Sequence, residues 1–217
     1  MDRPKLWIPA AIAFALVVTT AFAETQQDKA ELFDGQRAMA LINEQMRFTP
    51  RSLDTAGHQQ TIDFIKAELA KTNVDGVLLQ RWPYKTADGQ SFAMTNIIAR
   101  FDAANPRRMV LATHYDSIVR AYADKTDPNG PMPGANNSAS GVAVLLEIAR
   151  VLSLSPKPAV GIDMIFFDGE EGPKSLGAGD PEWHPLGSPW FTAHIKDSIR
   201  TRSPRRPSCS TWSATRT

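Results

Sequence analysis

The sequence predicts an α/β domain with a mixed, largely parallel central sheet flanked by helices. Three observations predict it. The runs Arg108–His114 and Ala159–Phe167 are apolar and β-rich with little alternation, so they read as strands buried on both faces, as in a parallel sheet. Between them, Ser138–Leu152 sets Val142, Leu145, Leu146, Ile148 and Ala149 on one broad apolar face, as a core helix does. Strand, loop, helix and strand in that order form the repeating unit of α/β layers. The 217 residues, 42% apolar and 22% charged, suffice for one domain with its own core.

The remaining elements follow in chain order. Residues 1–23 have a basic start, an apolar run of about 17 residues from Leu6 to Phe22, and the small-x-small site Ala21-Phe22-Ala23. That pattern predicts a cleaved signal peptide and a secreted or periplasmic chain beginning at Glu24. Membrane contact is expected only through this segment, if it stays uncleaved. Phe33–Phe48, with Ala38, Leu41, Ile42 and Met46, has helical spacing, and so does Ala56–Lys71, with Ile62, Ile65 and Leu69 after Thr55. Val77–Trp82 and Met94–Phe101 read as strands on either side of the turn-rich Lys85–Gln90.

Charge and cysteine usage exclude some function classes. The net charge is +1, but residues 198–217 carry five Arg and no acid, and residues 1–23 add +1. The body, 24–197, is left at −5. An acidic body without a basic stripe argues against nucleic acid as a partner. The single cysteine, Cys209, lies in the tail, so the body has neither a disulfide framework nor a zinc-thiolate site.

Three polar clusters stand at the ends of the core elements, where open α/β sheets bind ligands. His114-Tyr115-Asp116-Ser117 follows the first buried strand, and alternation puts His114 and Asp116 on one side. A ligand histidine commonly donates its second ring N–H to a carboxylate; a structural His–Asp pair looks the same in sequence. Gly134-Ala135-Asn136-Asn137-Ser138-Ala139-Ser140-Gly141 opens the helix, either as a close-approach loop or as an ordinary N-cap through Asn137 or Ser138. Phe166-Phe167-Asp168-Gly169-Glu170-Glu171-Gly172 ends the second buried strand. Its adjacent glutamates suit one metal ligand beside one proton carrier, or a solvated acidic turn.

In this order the clusters resemble the zinc aminopeptidase family, and within it the glutaminyl cyclase branch, over about residues 33–197. The resemblance implies a zinc cofactor and peptide or protein N-termini as substrate. It implies His114 as a metal ligand in two-zinc members, Asp116 as its orienting carboxylate, Glu170 as general acid/base and Glu171 as a zinc ligand. The family's metal-binding Asp position is Asn137 here, a neutral amide expected to weaken zinc binding and to disfavour a two-metal bridge. The family's later Asp and final His ligands have no counterpart in this chain.

The fifteen-residue segment Gly172–Leu186 and the FFDGEE spelling look more like the cyclase branch, with Trp183 as a substrate-pocket wall. The expected reaction is cyclisation of N-terminal Gln to pyroglutamate with release of ammonia. Hydrolysis of N-terminal residues by a zinc aminopeptidase shares the same constellation, and a non-catalytic peptide-binding remnant is the third reading. Residues 198–217, built almost wholly of Arg, Ser, Thr and Pro, are expected to be an out-of-frame tail, leaving the domain incomplete at its C-terminal end. Codons for Trp212 and Cys209 read one base earlier encode only Val, Leu or Met, as a buried strand would need.

Overall fold

A computed structural model describes residues 32–172 and 183–198. The expected signal peptide and the 199–217 part of the expected out-of-frame tail lie outside the described residues. The chain divides after Asp34, and the elements described here belong to the second unit. Helices α1 (Gly35–Met46) and α2 (Ala56–Leu69) precede a hairpin of β1 (Gly76–Lys85) and β2 (Ser91–Phe101). Strand β3 (Arg108–His114), helix α3 (Gly141–Leu154) and strand β4 (Gly161–Phe167) form the central unit, and α4 (Gly187–Ala193) and α5 (Ile195–Ser198) follow. Helix α2 begins where Thr55 accepts a hydrogen bond from the His58 backbone N–H at 3.2 Å, an N-cap that satisfies one free donor.

The four strands run in the order β1-β2-β4-β3. β1 and β2 pair antiparallel, β2 and β4 pair antiparallel, and β3 and β4 pair parallel. The sheet is therefore mixed, with its parallel pair where the helical crossover predicts one. Side-chain alternation divides the strands between two cores. Ile97, Ala99, Met164 and Phe166 meet Ile65 and Leu69 of α2 and Val142 and Leu146 of α3 on one face. Ile98 and Ile165 meet Phe191 of α4 on the other.

The two central strands do not share one environment. β4 is buried along its length except at Phe167, as its composition predicts. β3 pairs only with β4 among the described residues, and it leaves Met109 51% and Val110 49% exposed. Burial on both faces was the expectation for β3; its outer position in the described sheet is the reason for the difference. The predicted helix at Ser138 also starts later, because Ala135–Ser140 forms a wide turn in which Asn137 has non-helical angles.

The end of the sheet away from the polar clusters is fastened by charge. Asp163 of β4 is fully buried. Its Oδ1 accepts from Arg100 Nε at 2.9 Å and Arg108 Nη2 at 2.7 Å, and its Oδ2 accepts from Arg108 Nε at 3.0 Å. One carboxylate thus joins β2, β3 and β4. Removing it takes the shared carboxylate from two guanidinium groups, and the remaining bonds of Arg108 go to backbone carbonyls. Asp163→Ala is expected to lower the unfolding free energy by about 3–5 kcal/mol, seen as a lower urea midpoint at unchanged slope. A loss below about 1 kcal/mol would show the cluster to be solvated rather than structural.

Candidate functional site

The parallel register brings the ends of β3 and β4 side by side. His114, the last residue of β3, lies opposite Phe167, the last of β4, and the Tyr115 N–H donates to Phe167 O at 3.1 Å. The chain beyond each strand therefore enters one small volume. Asp116, fully buried, is its hub. Its Oδ1 accepts from His114 Nδ1 at 3.1 Å and from the Glu170 backbone N–H at 3.1 Å. Its Oδ2 accepts from the Glu171 N–H at 3.0 Å. Ser138 Oγ donates to the Asp116 backbone carbonyl at 2.8 Å, which ties in the approach to α3.

Each sequence-predicted residue takes a defined place around this hub. With Nδ1 donating to Asp116, His114 retains Nε2 as its second ring nitrogen. Burial pulls the His114 pKa down, but the bond and charge of Asp116, aided by Glu171, carry it above its ordinary value. Glu170 is half-buried and Glu171 buried. Burial pushes both carboxyls up; Asp116 adds to this and His114 opposes it. Asn137 is exposed, and its Nδ2 donates to Glu171 Oε1 at 2.6 Å. It does not cap α3, and neither does Ser138, whose hydroxyl is committed to Asp116. Trp183 Nε1 donates to the Glu170 carbonyl at 2.9 Å, which brings the indole against the glutamate turn.

A second buried network supports that turn, and sequence reasoning gave its members no role. Asp168 Oδ1 accepts from His58 Nε2 at 2.8 Å, and its Oδ2 accepts from the Thr95 N–H at 2.6 Å. Tyr115 donates its hydroxyl to Thr95 O at 2.8 Å and stacks on the His58 ring. Burial lowers the His58 pKa, but the Asp168 contact outweighs it and the net shift is upward; burial raises Asp168 and Tyr115. Arg51 is also fully buried, and burial brings its pKa to about 10 against the pull of Asp116, so it stays charged at neutral pH. The available signals were weak: a histidine in the first turn after a Thr cap, and an arginine in a short connection.

Zinc needs three or more protein ligands, and the described residues do not converge to that. His114 and Glu171 are two suitable donors, but Asn137 turns its amide nitrogen, not its oxygen, to Glu171. Among the described residues, no group of three His, Cys, Asp or Glu side chains could hold a metal ion. As described, the site does not fit a complete zinc centre.

Comparison with known proteins places this geometry. Residues 96–201, which contain all three clusters, match the model of Peptidase family M28. This region is similar to that family. A glutaminyl-peptide cyclotransferase of Drosophila melanogaster is 29% identical over 150 residues, covering 67% of this chain and 38% of that protein. The Porphyromonas gingivalis glutaminyl cyclase structure matches with TM-score 0.66 and 34% identity, over 74% of this chain and 55% of that one. A Zn-dependent exopeptidase from Parabacteroides distasonis matches with TM-score 0.64 and 33% identity, over 73% and 55%. The chain thus spans little more than half of these solved relatives and 38% or less of the curated relatives it matches. The named relatives of this chain include glutaminyl cyclases and a zinc exopeptidase, all of them enzymes.

The raised histidines set a pH dependence. A histidine whose folded pKa exceeds its unfolded value, near 6.5, stabilises fully below that value and loses its contribution as pH rises through the folded one. Asp168, also raised, acts in the same direction at lower pH. The urea midpoint is expected to be lower at pH 8 than at pH 6, and His58→Gln should shrink the difference, leaving the part due to His114. An unchanged difference in His58→Gln would contradict the assignment.

Proposed function

We propose that this site belongs to a glutaminyl-peptide cyclotransferase-type enzyme that converts N-terminal Gln of peptides to pyroglutamate. Glu170 carries the reading. It is a half-buried carboxyl with a raised pKa, beside a glutamate and a histidine, on a turn fixed by Asp116 and covered by Trp183. A carboxyl raised in this way moves protons nearer neutral pH than a solvated one does. The names of the Drosophila and Porphyromonas relatives support the same reading.

The chemistry balances with one proton carrier. The substrate α-amine attacks the side-chain amide carbon, a C–N bond forms, and the bond to the amide nitrogen breaks. Glu170 takes a proton from the α-amine and delivers it to the departing nitrogen, which leaves as ammonia. Trp183 gives the substrate an aromatic wall. Zinc enters the reading through the name of the Parabacteroides neighbour, with His114 and Glu171 as two donors and the neutral Asn137 beside them. The chain as it stands is expected to hold zinc weakly and to show negligible turnover. In the aminopeptidase reading the same glutamate serves hydrolysis of an N-terminal residue, and the leader pattern of residues 1–23 supports export in either case.

Calorimetry and a peptide assay test this together. In a chain extended to the full length of its relatives, Asn137→Asp is expected to tighten zinc binding by about 10-fold or more, because a carboxylate replaces a neutral amide. Turnover of a Gln-peptide, read as ammonia release, should rise with zinc occupancy. Adding Glu170→Gln should cut it by about 10²–10⁴-fold while leaving zinc affinity nearly unchanged. Equal zinc affinity with Asn137 and Asp at this position would sink the metal assignment. Cleavage of an aminoacyl amide without Gln cyclisation would replace the cyclase with the peptidase.

A further inference from the structure

We propose that Arg51 is a positioning residue of this site, its guanidinium fastening the segment after β3 to the approach of α3 and so fixing where Asp116 and Asn137 stand. Its importance for catalysis rests on the cyclase reading; the fastening itself does not. Arg51 comes from the short connection between α1 and α2, far in sequence from both segments. Nε donates to Tyr115 O at 3.3 Å, Nη1 to Pro133 O at 2.7 Å and Nη2 to Gly134 O at 3.0 Å. The Arg51 backbone N–H donates to Ser117 Oγ at 3.1 Å, and the Ser117 N–H returns a bond to Arg51 O at 3.4 Å. These partners flank Asp116 on both sides and stand three and four residues before Asn137.

The choice of residue is informative. A buried cation is costly, and these three acceptors are carbonyls rather than carboxylates. The charge is offset by the carbonyl dipoles and by nearby Asp116, whose carboxylate already takes its hydrogen bonds from His114 and the glutamate turn. A planar fork reaches three fixed carbonyls at once, which the single ammonium of lysine does not. Gly134 fits both its own loop and the fork: its φ is +63°, and a Cβ there would stand 2.6 Å from Asn137 O, 2.8 Å from Arg51 Nη2 and 3.0 Å from Ser117 Cβ. The glycine of the Gly134-Ala135-Asn136-Asn137 segment thus has a specific cause.

Amide exchange and 1H–15N spectra of the wild-type chain, Arg51→Lys and Arg51→Met test this without zinc or turnover. The reporters are the Glu170 and Glu171 amides, which donate to Asp116, and the Ala139 amide, which donates to Gly134 O at 3.1 Å. Met164 and Ile165 of β4 report global stability. In both variants the three reporter amides should lose at least tenfold more protection than the β4 amides, and their resonances should move. Arg51→Lys keeps the charge and carries the test if Arg51→Met does not fold. Reporter protection equal to wild type, or falling only in step with β4, would overturn the proposal. A failure to cyclise glutamine would remove the cyclase reading and leave this result standing.

Discussion

The arrangement of the site depends on one carboxylate. Asp116 leaves the end of β3 and accepts from the ring of His114 and from two successive backbone N–H groups beyond the end of β4. A buried carboxylate is tolerated only with such a set of donors, and here the donors are the parts that must be aligned. The histidine tautomer, the direction of the glutamate turn and the spacing of the two parallel strand ends follow from the same three bonds. Parallel pairing makes this possible, because both strands deliver their C-terminal ends to one place.

Around that hub the protein gathers charge at a cost to its stability. Asp116, Asp168, Glu170 and Glu171 lie within one short stretch of space, and burial raises three of them. His58 and His114 offset part of that concentration, each held by an aspartate. Residues 51–58 supply the underlying support: Arg51 meets the segments around Asp116, and His58 meets Asp168 below the glutamate turn. Such a polar interior is costly to stability, and groups with perturbed pKa values of this kind cluster at functional sites. The fold compensates at the other end of the sheet, where Asp163 is met by Arg100 and Arg108, and through two apolar cores divided by strand alternation.

The local features were legible in the sequence, and the long-range ones were not. The 3.6-residue spacing of Ile62, Ile65 and Leu69 and the apolar run of β4 each predict an element from neighbouring residues alone. The His114–Asp116 contact was legible because both residues lie on one extended segment. Arg51 and His58 gave no such signal: their partners stand 57 or more residues away, so only the folded chain shows what they hold. The exposure of β3 was hidden for a related reason, since composition does not say which strand lies outermost. The role of Asn137 was half legible. Its departure from an acidic residue is visible in sequence, but its bond to Glu171 exists only in three dimensions.

Crystal structures of the wild-type chain and Asp116→Asn test the central claim most directly. The substitution keeps the shape of the side chain but exchanges one acceptor oxygen for a donor that faces a peptide N–H in either orientation, and in one of them the histidine ring as well. The account predicts that the Gly169–Glu171 turn moves away from the end of β3 and that His114 changes its ring orientation, while β4 and its helices superimpose. If the turn and His114 keep their wild-type positions in Asp116→Asn, the site is held by something other than this carboxylate, and the account is contradicted.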